Sequence, residues 1–253
     1  MIGNKKILGL IPARGGSKGI PRKNIRNISG IPLVGFAITA ARLVPEIDMV
    51  TLSTDDQEIA DVGKTFGADV PFLRPAEIAA DDTPMIDVVS FTLKYLEGHG
   101  QSFDYVCLFQ PTTPFRDPKT ISKAIALLDS RPDADSCVAL AQVIDFHPKR
   151  IRRIVDGYVE GYLGENADAE CQQRQAHFGD AAYRRCGTFY ISRSQTILRQ
   201  KSVFGRKVLP YIVDGCQAVT IDDKLDLLLV EAIWSQRHAF PELKSLKTVF
   251  GNE

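Results

Sequence analysis

Short apolar segments alternate with amphipathic helical segments along the first 140 residues, and this alternation limits the fold class more than any other feature. The spacing of apolar residues predicts strands at Ile7–Ile11, Met49–Ser53, Tyr105–Phe109 and Ser136–Ala141. Between them it predicts helices at Pro32–Val44, Glu58–Phe66, Met85–Glu97 and Ile121–Leu128. Such an order indicates an α/β fold with a doubly wound, mostly parallel sheet.

The pattern changes from about residue 142 to residue 185, where the chain is polar. Asp156-Gly157 lies between Ile151–Val155 and Tyr158–Tyr162, which predicts a β-hairpin. The segment has too few apolar residues for a core of its own, so we expect an extension of one domain spanning residues 1–253. A second subunit packing on this extension would make the protein a homodimer.

The last third of the chain returns to the α/β pattern. It predicts strands at Gly187–Ser192, Val208–Val213 and Ala218–Ile221, and helices at Ser194–Arg199 and Lys224–Gln236. The last of these helices is strongly apolar and is expected to finish the fold.

Composition excludes several classes of function. The 31 basic and 31 acidic residues cancel, whereas a nucleic-acid or membrane-surface protein would carry a basic excess. No apolar stretch approaches the roughly 18 residues of a membrane span. The five cysteines are scattered without a C-x-x-C pair, which favours free thiols in the cytoplasm over a zinc site or disulfides.

A loop rich in glycine and basic residues follows the first predicted strand, which stops at Pro12. Gly15, Gly16 and Gly19 alternate there with Arg14, Ser17, Lys18, Arg22 and Lys23. Glycines let backbone N–H groups approach a ligand, and the cations supply charge, so the loop suits a polyphosphate. It matches neither the P-loop nor the dinucleotide-binding pattern, and an ordinary turn with solvated basic residues stays an alternative.

Polar residues follow other predicted strands as well. The segments are Ser53–Asp56, Gln110–Pro114 and Thr220–Asp223. Strand ends converge at one edge of an α/β sheet, and cations facing carboxylates suggest a nucleoside triphosphate with a divalent metal. Asp222 is the first candidate ligand, and Asp222 or Asp223 is also expected to cap the last helix.

Several segments, in order, resemble the CMP-sialic acid synthetases, the acylneuraminate cytidylyltransferases. The most specific are IPARGGSKGIPRKN at Ile11–Asn24 and QPTTPFR within LFQPTTPFR at Leu108–Arg116, and TIDDKLDL at Thr220–Leu227 follows in the same order. The resemblance covers nearly the whole chain. It implies a Rossmann-like nucleotidyltransferase fold and transfer of CMP from CTP to a nonulosonic acid, with Mg²⁺ as cofactor and Mn²⁺ as an alternative.

The resemblance also implies roles for individual residues. Arg14, Lys23 and Asp222 would be catalytic, and Asp222 would bind the metal with Asp223 or Asp226 as alternatives. The nucleotide would contact Arg14, Gly15, Gly16, Ser17, Lys18, Lys23, Asn24 and Arg74. The sugar would contact Gln110, Lys149, Arg174 and Gln175. For Lys149 and Arg174, a solvated hairpin face is the competing interpretation.

Thr220 departs from the family pattern, which has aspartate at this position. A hydroxyl cannot replace a carboxylate as an anion, so either a neighbouring carboxylate compensates or Asp222 and the phosphates hold the metal. N-acetylneuraminate is the first acceptor to expect, with legionaminic acid, pseudaminic acid or Kdo as alternatives. A protein that binds CTP or sugar without turnover is a further alternative, and a purely structural role would not need so many polar strand ends.

Overall fold

The computed structural model describes residues 3–17, 19–143, 147–164, 181–213 and 215–251. The strands are β1 (Ile7–Pro12), β2 (Asn27–Ile28), β3 (Ile31–Pro32), β4 (Met49–Ser53), β5 (Tyr105–Leu108), β6 (Ser136–Val143), β7 (Arg152–Val155), β8 (Tyr158–Gly161), β9 (Ala182–Arg193) and β10 (Val208–Ile212). The helices are α1 (Leu33–Arg42), α2 (Gln57–Thr65), α3 (Met85–Gly98), α4 (Pro118–Asp129), α5 (Ser194–Gln200), α6 (Lys224–Ser235) and α7 (Lys244–Phe250).

Six strands form one sheet in the order β10-β6-β9-β5-β1-β4. The pairs β10–β6, β5–β1 and β1–β4 are parallel, whereas β9 is antiparallel to both of its neighbours. The predicted doubly wound, mostly parallel α/β fold is therefore confirmed. β9 is longer than predicted, because its first residues pair with the far end of β6, where Val143 faces Ala182.

The two faces of the sheet bury different side chains of the same strand. On β1, Ile7 and Ile11 join the core formed with α1, α2 and α4, while Leu8 and Leu10 join the core formed with α3 and α5. Successive side chains on a strand point to opposite faces, so a continuous apolar run is what a strand covered on both faces requires. The polar ends of these strands are consequently the part of the sheet left open to a ligand.

The C-terminal part of the fold differs from the prediction that the Lys224–Gln236 helix would finish it. After α6 the chain makes two 3-10 turns and adds α7. Phe250 at the end of α7 packs against Phe36, with ring centroids 5.0 Å apart, and against Trp234 at 6.0 Å. The last helix is seven residues long, too short to give a clear periodic signal, and this packing against α1 and α6 stabilises it.

The predicted strand at Ala218–Ile221 is wrong. Gly215–Ala218 is a 3-10 turn, and no strand follows it before α6. Val219 N donates to Cys216 O at 3.2 Å, and Ile221 N donates to Thr112 O at 2.8 Å, so the backbone is held by a turn and one tether. The apolar composition of these residues suggested a strand. Ile221 is instead buried in the core beneath α6, where no strand is needed to cover it.

The predicted hairpin is present as β7 and β8. Asp156 and Gly157 both have positive φ, 51° and 84°, as a tight two-residue hairpin turn requires. The hairpin forms a two-stranded sheet of its own, separate from the main sheet.

Candidate active site

A cavity of about 570 Å³ opens where β1, β4 and β5 end, and we call it the first cavity. It brings together seven residues predicted from the sequence: Arg14, Ser17, Lys23, Asn24, Arg74, Gln110 and Asp222. Gly15 and Gly16 lie in the adjoining loop but do not line the cavity. Lys18 lies outside the described residues.

The loop after β1 is fastened to the end of β4. Gly15 N donates to Asp55 Oδ1 at 3.0 Å, and the Arg22 guanidinium bonds to the carboxylates of Asp56 and Glu58. Arg22 has a left-handed backbone (φ 54°, ψ 33°), which non-glycine residues seldom adopt. Its ion pairs with Asp56 and Glu58 stabilise this conformation. Its hydrogen bonds also hold the pKa of the Asp56 carboxyl below the usual value. Arg22 therefore shapes the loop and does not line the cavity.

Arg14 and Lys23 are held by contacts that leave both charges at the cavity. Arg14 pairs with Asp81 at 2.6 Å, and Asn24 Nδ2 donates to the carbonyl oxygen of Arg14 at 2.9 Å. Lys23 Nζ donates to the carbonyl oxygen of Ile221 at 2.9 Å, which joins the loop to the segment before α6. Two cations thus face one cavity from the same loop.

Arg74 supplies a third cation, and it is 7% exposed. Its Nε donates to Ser53 Oγ at 3.2 Å, and its backbone N donates to Thr54 O at 2.7 Å. Burial lowers the pKa of Arg74, because removing water disfavours the charged form. An anion entering the cavity would offset that cost.

Neighbouring carboxylates in the acidic segment before α6 make different contacts. Asp223 accepts from the backbone N–H groups of Leu225 and Asp226, and Asp226 accepts from Asp223 N at 3.0 Å, which together form a capping box. The Asp222 carboxylate lines the first cavity and has no partner among the described residues. The helix-capping expectation is therefore confirmed for Asp223.

This donor set fits a magnesium ion held largely by phosphate oxygens and water. Mg²⁺ in nucleotide sites is bound through one or two carboxylates, and Asp222 supplies one. Across the described ranges, no three His, Cys, Asp or Glu residues form a metal cluster. Thr220 also lines the cavity, with its Oγ1 atom 3.2 Å from Thr113 Oγ1.

A second cavity of about 470 Å³ adjoins the first and shares Met85 and Gln110 with it. Its other walls are Leu108, Arg185, Tyr190, Val203 and Phe204. Tyr190 and Phe204 meet edge to face with ring centroids 5.3 Å apart. The second cavity is thus largely apolar and aromatic, and Gln110 stands at its junction with the cationic first cavity.

Comparison with known proteins agrees with this geometry. The cytidylyltransferase family matches residues 8–231. The chain belongs to the cytidylyltransferase family. A CMP-N,N'-diacetyllegionaminic acid synthase of Legionella pneumophila is 32% identical to it, covering 90% of this chain and 96% of the relative. The predicted resemblance to CMP-sialic acid synthetases is confirmed.

Other relatives of this cytidylyltransferase differ in length. An N-acylneuraminate cytidylyltransferase of Escherichia coli is 29% identical over 92% of this chain, which spans 53% of that relative. Among solved structures, a CMP:2-keto-3-deoxy-manno-octonic acid synthetase complexed with CTP matches 92% of this chain and 99% of its own, with 17% identity and a TM-score of 0.64. That likeness supports the fold.

Arg116 is a residue whose role the sequence did not reveal. Arg116 is fully buried. Its Nε atom donates to Thr188 O at 2.6 Å. Its Nη2 atom donates to Gln110 O at 2.6 Å and to Gly187 O at 3.0 Å. Desolvation lowers the pKa of Arg116 to about 9. Its place at the end of the QPTTPFR segment was the available signal, but position alone could not show that it anchors the Gln110 turn to β9.

The predicted sugar contact Lys149 lines neither cavity. Lys149 lies in a 3-10 turn, Pro148–Arg150, where its carbonyl oxygen accepts from Arg152 Nη1 at 2.7 Å. Arg174 and Gln175 lie outside the described residues.

In the described part of the chain, no helix is long and apolar enough to cross a membrane.

Proposed function

We propose that this cytidylyltransferase transfers CMP from CTP to the anomeric hydroxyl of a nonulosonic acid and releases pyrophosphate. The observation that carries the proposal is the pair of adjoining cavities with Gln110 at their junction. Among the described residues, the first has three cations for a triphosphate, and the second has aromatic walls suited to the faces of a sugar. Two substrates bound side by side in this way would have their reacting groups near the shared wall.

The chemistry that such a site favours is direct displacement. The sugar hydroxyl oxygen bonds to the α-phosphorus, the bond from that phosphorus to the bridging oxygen breaks and leaves its electron pair on pyrophosphate, and the hydroxyl proton passes to solvent water. Arg14 and Lys23 hold the triphosphate and stabilise the negative charge that grows on the departing pyrophosphate. Arg74 is rigid because it is buried against Ser53, and it would hold the nucleotide by its charge and hydrogen bonds.

Asp222 would hold the divalent metal, Mg²⁺ or alternatively Mn²⁺. The ion, when bound, neutralises phosphate charge and increases the electrophilicity of the α-phosphorus. Asp223 and Asp226 are committed to the capping box, which supports Asp222 as the main carboxylate ligand. Thr220, whose hydroxyl lies beside that of Thr113, adds an oxygen to the cavity without adding charge.

The relatives do not determine which nonulosonic acid is the acceptor, because they act on different ones by name. Their names include N,N'-diacetyllegionaminic acid, N-acylneuraminate and pseudaminic acid, at 32%, 29% and 29% identity. We expect N-acetylneuraminate to be accepted and treat the other two as competing acceptors. The decisive measurement is pyrophosphate release from CTP with N-acetylneuraminic, legionaminic and pseudaminic acids and Kdo in parallel, with and without Mg²⁺. CTP binding without pyrophosphate release from any of the four would indicate a binding protein.

A pair of neighbouring variants tests the site within that assay. Asp222→Asn is expected to abolish turnover and leave the free energy of unfolding unchanged, because its carboxylate has no partner among the described residues. Asp223→Asn should keep most of the turnover, since asparagine caps a helix about as well as aspartate. Near-normal activity of Asp222→Asn, or equal loss in both variants, would refute the assignment of Asp222 as the main ligand.

We also propose a homodimer that buries the β7–β8 hairpin. Ile154 and Tyr158 are 78% and 77% exposed, and Val159 is 59% exposed. Apolar side chains concentrated on a hairpin outside the main core favour coverage by another protein surface. Light scattering at micromolar concentration should give twice the chain mass, and Ile154→Asp should reduce it. A wild-type monomer would contradict the proposal.

We infer that the reaction takes place in the cytoplasm, where CTP is consumed and thiols stay reduced. The four cysteines within the described residues, Cys107, Cys137, Cys186 and Cys216, are free thiols, which supports this inference. Cell fractionation with an antibody to the chain would test it, and recovery from a secreted or periplasmic fraction would contradict it.

A further inference from the structure

Seven described residues line the second cavity, and Arg185 is the one among them with a charged side chain. Its guanidinium carbon lies 4.8 Å from the ring centroid of Phe204, a cation–π contact with the aromatic wall of the cavity. A cation–π contact does not require the guanidinium N–H groups as hydrogen-bond donors, so they stay available to a ligand. No acidic residue within the described ranges pairs with it.

The exposure of Arg185 explains how an unpaired charge is tolerated there. The residue is exposed to solvent, so its charge can stay hydrated without a protein partner. A ligand that fills the cavity displaces this water and must supply acceptors in its place, because a buried and unpaired charge is costly. A planar carboxylate matches the guanidinium edge with two parallel hydrogen bonds.

The distribution of cations matches the charges of the two substrates. Among the described residues, the first cavity is lined by three cations, Arg14, Lys23 and Arg74, and by two carboxylates. Asp81 pairs with Arg14 and Asp222 is the proposed metal ligand, so the cations remain suited to a triphosphate. Among the described residues, the second cavity has one cation, and a nonulosonic acid has one carboxylate. We propose that Arg185 binds the carboxylate of the acceptor and thereby restricts this enzyme to acidic sugars. The inference rests on the proposed function and adds a residue to it.

Arg185 also suits this role by its place on β9. The residue pairs with Leu140 of β6, and Tyr190 lies further along the same strand as another wall of the cavity. A side chain carried by a sheet strand is held more precisely than one on a loop, which favours orientation of the anomeric carbon that bears both the carboxylate and the attacking hydroxyl. A carboxylate fixed at Arg185 would leave that hydroxyl free to turn towards the first cavity.

The test combines a change in the protein with a change in the substrate. Arg185→Met keeps an apolar contact with Phe204 and removes the charge. The acceptor that gives the fastest pyrophosphate release is assayed as the free acid and as its methyl ester. With the wild type, the ester should have a KM roughly ten- to a hundredfold higher than the acid, the range expected for a hydrogen-bonded charge. In Arg185→Met, the KM for the acid should rise by a similar factor, the preference for acid over ester should disappear, and the KM for CTP should stay unchanged.

Arg131→Met is the matched control, because Arg131 pairs with Asp133 on the surface and lines neither cavity. It should leave both KM values and the preference for the acid unchanged. An unchanged acid-over-ester preference in Arg185→Met, or a rise in the KM for CTP instead of the acceptor, would overturn the inference while leaving the proposed function intact. A wild type that releases no pyrophosphate with any of the four acceptors would overturn the proposed function and this inference with it.

Discussion

Replacing Gly15 by alanine would test how tightly the loop after β1 is held against β4. An ideal Cβ atom at Gly15 would lie 2.8 Å from Asp56 Oδ2 and 3.0 Å from Asp56 Cβ. Asp56 has little freedom to move away, because Arg22 binds its carboxylate and its Oδ1 atom caps α2 by accepting from Ile59 N at 3.0 Å. Either the loop shifts by about half an ångström or more, or the contacts of Asp56 break.

The magnitude follows from these contacts. Overpacking of this kind costs about 1–3 kcal/mol, and weakening the cap on α2 would add about 1 kcal/mol. We therefore expect Gly15→Ala to lower the free energy of unfolding by about 2–4 kcal/mol. Because Arg14 is the preceding residue, kcat/KM for CTP should fall by up to about a hundredfold, the loss that a 1 Å displacement of a catalytic group can cause. Urea unfolding of the nucleotide-free protein and steady-state kinetics with varied CTP measure the two effects.

Gly16→Ala is the matched control for stability. A Cβ atom at Gly16 would meet nothing within 4 Å, and neither glycine has the positive φ that would strain alanine. Its free energy of unfolding should therefore change by less than about 0.5 kcal/mol, as at most surface sites. Asp56→Gly should partly rescue Gly15→Ala, because it removes the atoms that the new methyl group meets, so the two changes would be non-additive. Equal stability of the two alanine variants, or strict additivity with Asp56→Gly, would refute the reasoning.

Three further outcomes are expected. Asp223→Ala should lower the free energy of unfolding by about 1 kcal/mol through loss of the capping box, whereas Asp222→Ala should not; equal urea midpoints would contradict the assignment of the cap. Arg116→Lys cannot reach all three carbonyl oxygens, so it should cost about 2–4 kcal/mol of stability and raise the KM for the acceptor through Gln110; a variant as stable as the wild type would show that the anchor is dispensable. Hydrogen bonds from the backbone N–H groups of Lys207 and Arg206 lower the pKa of Asp135, so its stabilising effect is present above about pH 4 and is lost as the pH falls through its lower value in the folded protein. Asp135→Asn should accordingly flatten the acid side of the stability–pH curve, and an unchanged slope would refute it.

The elements that the sequence predicted well are those in which local pattern and tertiary environment agree. β1 is apolar at consecutive positions because both of its faces are covered, and Asp156-Gly157 can adopt the backbone of a tight turn whatever surrounds it. The strand predicted at Ala218–Ile221 failed for the opposite reason. Four residues of apolar composition fit a strand or a buried turn equally well, and the tether from Ile221 to Thr112 decides between them.

The residues of the candidate site also fall into those that local sequence could indicate and those that only the fold could. Arg14, Lys23 and Asp222 could be proposed from the sequence, because glycine, cations and carboxylates at strand ends suit a nucleotide wherever they occur, and Asn24 was added by the family resemblance. Arg185 could not be proposed, since a basic residue at the start of a strand usually lies in water. Its importance depends on Phe204, which reaches it from a loop nineteen positions further along the chain.

The sequence by itself determined the α/β class, the cationic loop that begins the site and the family to which the chain belongs. Those properties depend on residue type and local order, which the linear chain contains in full. Tertiary structure alone decided that Arg22 shapes the loop, that Asp223 caps α6 while Asp222 faces the cavity, and that Gln110 joins two cavities. Each of those assignments depends on which partner a side chain meets across the fold, and long-range contacts are not encoded in the spacing of neighbouring residues.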